Sequence, residues 1–224
     1  MISLNLHARA LQERIDTVKR IVDETHKTSA TGAPGPISRE ARGIAIVLLF
    51  AAYEDLLTSL TRTLLEAAIN LRVSNRRLQP GLRTFALAAS AKSARDMSEK
   101  KLYSTTLPNL IEVSGRGGHH CTIDANSFPA DGSFMKRSQI EVWCRLFSVP
   151  NPGRILHRTW ATIDSVVSER NGVAHGRKTP EDVGRGYTEK EVRKLIDDWK
   201  DDWLDFLGEV EKLAQSRDFF RTPR

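Results

Sequence analysis

From Thr188 to Gln215 the sequence repeats Val192, Leu195, Ile196, Trp199, Trp203, Phe206, Leu207, Val210 and Leu213 at helical spacing. Asp197, Asp198, Asp201, Asp202 and Asp205 fall between them. A segment of that length must be an amphipathic helix with its aromatic side turned to a core. Thr188 and Glu191 form the S/T-x-x-E capping box that opens it. The bulky Trp and Phe side chains are spent on packing and form no base-stacking platform.

A core for that face lies upstream. From Arg39 to about Arg72 the pattern is again helical, and its centre, Ile44 to Tyr53, carries no charge on any side, which predicts burial all round. Ser38 is the expected cap. Helical spacing also marks residues 137–148, through Ile140, Trp143 and Leu146, and residues 153–172, through Ile155, Trp160, Ile163, Val166 and Val167. The first segment sets Leu4, Ala8, Leu11, Ile15, Val18 and Val22 at alternating spacings of four and three, a heptad seam suited to lying along another helix. Alternating β patterning is confined to a few residues near Cys121, so the fold class is all-α: a helical bundle. Residues 82–97 have helical character, and the Gly, Pro and Asn density of residues 107–136 predicts a largely irregular insertion. The domain reading is an N-terminal heptad helix over 1–28, a Gly- and Pro-containing linker over 29–38 and a helical domain over 39–224, with the insertion at about 76–136.

Composition narrows function. The 224 residues are 40% hydrophobic and 28% charged, as in an ordinary water-soluble domain. The apolar stretches are interrupted before the ~20 residues that span a bilayer, and no secretory leader pattern opens the chain. These features predict a cytoplasmic protein without a membrane partner. Two cysteines, Cys121 and Cys144, are too few for a disulfide framework and suit a reducing compartment. The net charge is +6, and residues 72–101 hold eight basic residues against two acidic ones, so the excess is concentrated there. Arg76, Arg77 and Arg83 in that block, with Arg154 and Arg158 further on, are candidates for contacting an RNA backbone by counterion release. A solvated helix face is the alternative. His119, His120 and Cys121 with Asp131 suggest a metal-dependent hydrolase only faintly, because no second ligand pair stands at finger-like spacing. The expectation is no metal and no cofactor.

The chemistry-bearing stretch is Arg170-Asn171-Gly172-Val173-Ala174-His175-Gly176, at the end of one apolar-periodic segment and before a polar loop. Arg offers a permanent forked cation for phosphate and His a proton shuttle near neutral pH. Five residues apart on a regular helix they diverge by about 140°, so the helix is expected to loosen at Gly172 and a second copy of the chain to complete the site. A helix C-terminus, with His175 in the last turn and Gly176 just past it, accounts for the same letters structurally. Glu54, following the uncharged centre at the core's edge, needs a partner, and Arg170 is the candidate, with Arg62 as the alternative.

The string from Val167 to Gly176 resembles the R-x(4-6)-H motif of the HEPN superfamily, in particular the RiboL-PSP-HEPN branch, where a polar residue follows the Arg. Ala51-Ala52-Tyr53-Glu54-Asp55-Leu56-Leu57 is similar to that branch's aromatic-x-Glu segment, except that Glu54 follows the aromatic directly. The resemblance spans roughly residues 40–215. It implies a HEPN-like bundle acting as a metal-independent endoribonuclease, with Arg170 and His175 catalytic and Asn171 and Glu54 supporting them. The reaction would leave 2′,3′-cyclic phosphate and 5′-hydroxyl ends. It further implies an RNA substrate, a homodimer, a role as a toxin or phage-defence effector, and an antitoxin or regulatory protein as a possible partner. The alternative within the same resemblance is a non-catalytic RNA- or nucleotide-binding or scaffold protein.

Overall fold

The computed structural model describes residues 2–26, 36–94, 97–118, 120–128 and 135–223. The helices are α1 (Asn5–His26), α2 (Pro36–Asn70), α3 (Pro80–Ala94), α4 (Glu99–Lys101), α5 (Leu107–Gly115), α6 (Arg137–Leu146), α7 (Pro152–Ile155), α8 (Ile163–Ala174), α9 (Pro180–Arg185) and α10 (Glu189–Ala214). Leu102–Thr106 winds as a π-type turn between α4 and α5. The described residues form no strand; one isolated bridge joins Leu78 to Arg221 and ties the C-terminal segment to the turn after α2. The fold is all-α.

The uncharged centre of α2 makes it the axis of the bundle, with α1, α8, α9 and α10 packed around it. Its length and composition would suffice to cross a membrane, with a mean hydropathy of 1.7 over the most apolar window, so the reading that no apolar stretch is long enough does not hold. Packing accounts for that hydropathy: 56% of the window is buried among the other helices. The seam Leu11, Ile15, Val18 and Val22 of α1 is buried in the same core, against α2 and α10 of its own chain. Trp199, Trp203 and Phe206 are fully buried. Trp203 stacks on Tyr53 with ring centroids 5.2 Å apart, and Tyr53 donates its hydroxyl to the Met135 carbonyl at 2.8 Å.

Several boundaries differ from the sequence expectation. The second helix begins at Pro36, before Ser38, because proline's fixed φ suits a first turn whose N–H groups need no partner. Residues 107–115, expected to be irregular, are helical: Pro108 sits at the start of α5, where proline initiates instead of breaking. Residues 153–172 are not continuous. The Thr159 amide is shared between the Leu156 carbonyl at 3.2 Å and the Asp202 carboxylate at 2.8 Å, so residues 156–162 run as turns between α7 and α8. That carboxylate is the other surprise. Asp202 is 0% exposed, satisfied by the Thr159 amide and hydroxyl and by Arg158.

Two glycines set how closely α9 lies on α2. A Cβ at Gly43 would stand 1.8 Å from the Pro180 carbonyl oxygen, and one at Gly184 would stand 1.8 Å from that of Arg39. No other residue allows this backbone-to-backbone approach. It matters for function because α9 follows directly on the loop that carries His175.

Candidate functional site

Arg170 lies on α8, whose apolar face, Ile163, Val166 and Val167, is buried. Its guanidinium is held from three directions. Nη1 donates to Asn171 Oδ1 at 3.0 Å, Nη2 stands 3.8 Å from Glu54 Oε2, and the guanidinium carbon lies 4.3 Å from the centre of the Phe50 ring. Glu54 reaches it because α2 and α8 pack side by side. The expected pairing of Glu54 with Arg170 is therefore present. Phe50 precedes Glu54 by one helical turn and so shares its face. About 30% of the Arg170 side chain remains open to solvent.

The helix does not loosen at Gly172. It stays α-helical to Ala174 and closes with a Schellman motif: Gly176 N–H donates to the Val173 carbonyl at 3.0 Å, and Arg177 N–H to the Gly172 carbonyl at 2.8 Å. Gly176 takes φ +67°, the left-handed conformation that glycine adopts without strain. His175 is the C-cap and is exposed. With α8 regular to Ala174 and His175 at its C-cap, the ideal helical separation of about 140° between positions 170 and 175 is not reduced by any loosening at Gly172.

Beside Asn171 a shallow pocket of about 330 Å³ is lined by Lys136, Asp164, Ser168 and Arg177. Lys136 arrives from the start of α6, and no spacing in the sequence links it to the motif. Burial alone would raise the Asp164 carboxyl. The N–H and guanidinium of Arg137, bonded to it at 2.9 and 2.8 Å, outweigh that and hold it below the usual carboxylate range. That pair fixes α6 against α8, leaving Lys136 and Arg177 to face the pocket. Glu169, on the same helix, holds Lys178 at 2.6 Å.

The other sequence-selected cations are scattered. Arg158 is engaged by Asp202 at 2.8 Å and Asp205 at 3.1 Å, which satisfies its charge within the protein. Arg154 lines a separate hollow with Asn151, Glu209 and Lys212. Arg83 donates to the Arg76 and Leu78 carbonyls and Arg77 to the Thr222 carbonyl, so both brace the backbone around the α2–α3 turn, while Arg76 is exposed. His119 and Asp131 lie outside the described residues. Among the described residues no group of three or more His, Cys, Asp or Glu side chains could hold a metal ion. Cys121 is half-buried and Cys144 buried, both as free thiols, and burial pushes the Cys144 thiol up to about 12.

No family model, curated protein or solved structure matches the chain.

Proposed function

We propose that the chain is an endoribonuclease that needs no metal, cutting RNA by attack of a ribose 2′-hydroxyl on the adjacent phosphate. The observation that carries this reading is the clamped Arg170: Asn171, Glu54 and Phe50 orient one guanidinium at a partly open surface, on the same helix end as an exposed imidazole. In the proposed reaction neutral His175 takes the 2′-hydroxyl proton, the 2′-oxygen bonds to phosphorus, and the 5′-oxygen leaves with a proton from an imidazolium. The products carry 2′,3′-cyclic phosphate and 5′-hydroxyl ends. Arg170 stabilises the charge that grows on the phosphorane oxygens. Since Arg170 and His175 diverge on one chain, the complete site takes its second imidazole from another copy, and the active unit is a homodimer. Lys136 and Arg177 supply positive charge for the neighbouring phosphate. A toxin or phage-defence role, restrained by an antitoxin or regulatory protein, fits such an activity.

One observation favours a second reading. The Glu54 carboxylate and the Phe50 ring also make Arg170 a good structural tie between α2 and α8, and a non-catalytic RNA-binding or scaffold protein would keep it for that reason. The two are separated by incubating purified protein with total RNA in EDTA beside His175→Ala. Cleavage by the parent that disappears in the variant supports the nuclease; intact RNA with both, under conditions where RNA binds, supports the scaffold.

A further inference from the structure

At the other end of α2, about 18 Å from Glu54 along the helix axis, a cavity of about 660 Å³ opens between the end of α1, the first turns of α2 and the junction of α9 with α10. Arg39, Arg42, Arg185, His26 and Tyr187 line it. Arg42 is the decisive residue: it is only 5% exposed, yet it faces this space. Its Nε donates to the Gly184 carbonyl at 3.1 Å and its Nη1 lies 3.4 Å from His26 Nε2.

Neither contact neutralises the guanidinium. His26 Nδ1 stands 2.7 Å from the Val22 carbonyl, and its Nε2, the atom facing Arg42, is also 4.0 Å from Glu189 Oε2. Among the described residues no carboxylate is within ion-pair distance of Arg42, and no hydrogen bond reaches its Nη2. Burial and the neighbouring Arg39 both pull Arg42 below the ordinary arginine value, opposed by the charge of Glu189. The Arg42 side chain is thus packed into the wall with its unbonded nitrogen open to the cavity, where an anion could pair with it.

Glu189 and Glu191 also line the cavity, each with partners of its own. Glu181 serves both Arg39, at 3.5 Å, and Arg185, at 2.9 Å, and Asp182 stands 4.0 Å from Arg185. Glu191 accepts from the Thr188 amide and hydroxyl at 2.7 and 2.8 Å, and Glu189 pairs with Arg193 at 2.8 Å. Three guanidinium groups therefore border one concave space, and of the three Arg42 is the one with no carboxylate at ion-pair distance among the described residues. Several guanidinium forks around one space match a phosphate, which has more acceptor oxygens than a carboxylate and can bond more than one fork. The volume falls in the usual range for small-molecule sites, and the half-buried Tyr187 ring adds an apolar wall.

We infer that this cavity is a binding site for a small phosphorylated molecule, its phosphate held by Arg42 with Arg39 and Arg185 and its organic part against Tyr187. The site is separate from the α8 motif and does not depend on nuclease activity. Isothermal titration of the full chain with inorganic phosphate, pyrophosphate and ADP tests it directly. At least one of these should bind and raise the melting temperature. Arg185→Gln and Arg39→Gln, both at partly exposed positions, should each weaken binding by about tenfold, the equivalent of one charge-assisted hydrogen bond. Arg42→Gln should abolish binding, and because that buried change can also impair folding, the two milder variants carry the test. RNA affinity should not change in Arg185→Gln. The site is refuted if none of the three probes binds at millimolar concentration or if binding is indifferent to both milder variants. A parallel fall in RNA affinity would refute it too, by showing the groove to serve RNA instead.

Discussion

At the scale of single residues, the proposed chemistry rests on the fork of Arg170 more than on its charge. A lysine there would keep the positive charge but could not bond Asn171 and face Glu54 while standing over the Phe50 ring. Arg170→Lys is therefore expected to lower RNA cleavage by about 10²-fold, the usual loss for one transition-state donor, with little change in melting temperature. Cleavage near the parental rate would count against a catalytic Arg170. Asp164 gives a pH prediction. Its carboxyl is held below the ordinary value by Arg137, so the stability it contributes is present above the unfolded-state aspartate pKa and is lost as pH falls through the folded one. Asp164→Asn should lower the melting temperature at neutral pH and converge with the parent in strong acid. What the sequence disclosed here was residue type and neighbourhood: Arg170, Asn171 and His175 stand in one string, and Glu54 at the edge of an uncharged run called for a cation. Asp202 was illegible, because its place among the other aspartates of α10 suggests solvent. Only the tertiary approach of residues 156–162 turns it into a buried acceptor for the Thr159 amide and hydroxyl. Asp202→Ala removes the acceptor of the buried Thr159 hydroxyl, leaves the Thr159 amide only the Leu156 carbonyl, and should cost about 2 kcal/mol in urea unfolding.

At the scale of elements, sequence periodicity located the long helices well and the junctions poorly. The capping box at Thr188 and Glu191 marked the start of α10 from local letters alone. The break between α7 and α8 depends on a carboxylate more than forty residues away, which no local pattern encodes. Proline misled twice, at Pro36 and Pro108, where it opens a helix. The end of α8 offers a clean test. Gly176 sits at φ +67° with nothing within 4 Å of the position a Cβ would take. Gly176→Ala therefore introduces only the left-handed backbone penalty, about 1 kcal/mol, measurable by denaturant unfolding. Gly43→Ala contrasts with it, because the added carbon meets the Pro180 backbone and α9 must move off α2. It should be the more destabilising of the two, and an equal or smaller loss would show that the α2–α9 contact is less tight than its geometry.

At the scale of the whole molecule, fold class and the central place of the uncharged helix were legible because burial on all sides leaves a mark on every face of a segment. Assembly leaves a weaker mark. On ideal helical spacing, position 170 of α8 and its C-cap His175 are separated by about 140° around the axis, which sets the guanidinium and imidazole of one chain on different sides in the proposed site. In-line cleavage of a phosphodiester requires a base at the 2′-oxygen and an acid at the 5′-oxygen on the opposite side, a task one imidazole cannot perform in a single step. Two chains related by a twofold axis near the end of α8 would set two imidazoles and two guanidinium groups about one phosphate. The expected result is a dimer in sedimentation at the concentration where RNA is cut, with His175→Ala abolishing cleavage while leaving helix content and dimer intact. His175 is exposed and serves no core contact, so a loss of activity without a loss of structure is what its removal should produce. Diluting the protein below its dimerisation constant should reduce the rate per chain, whereas a constant rate per chain from a sedimenting monomer would rule out the paired site.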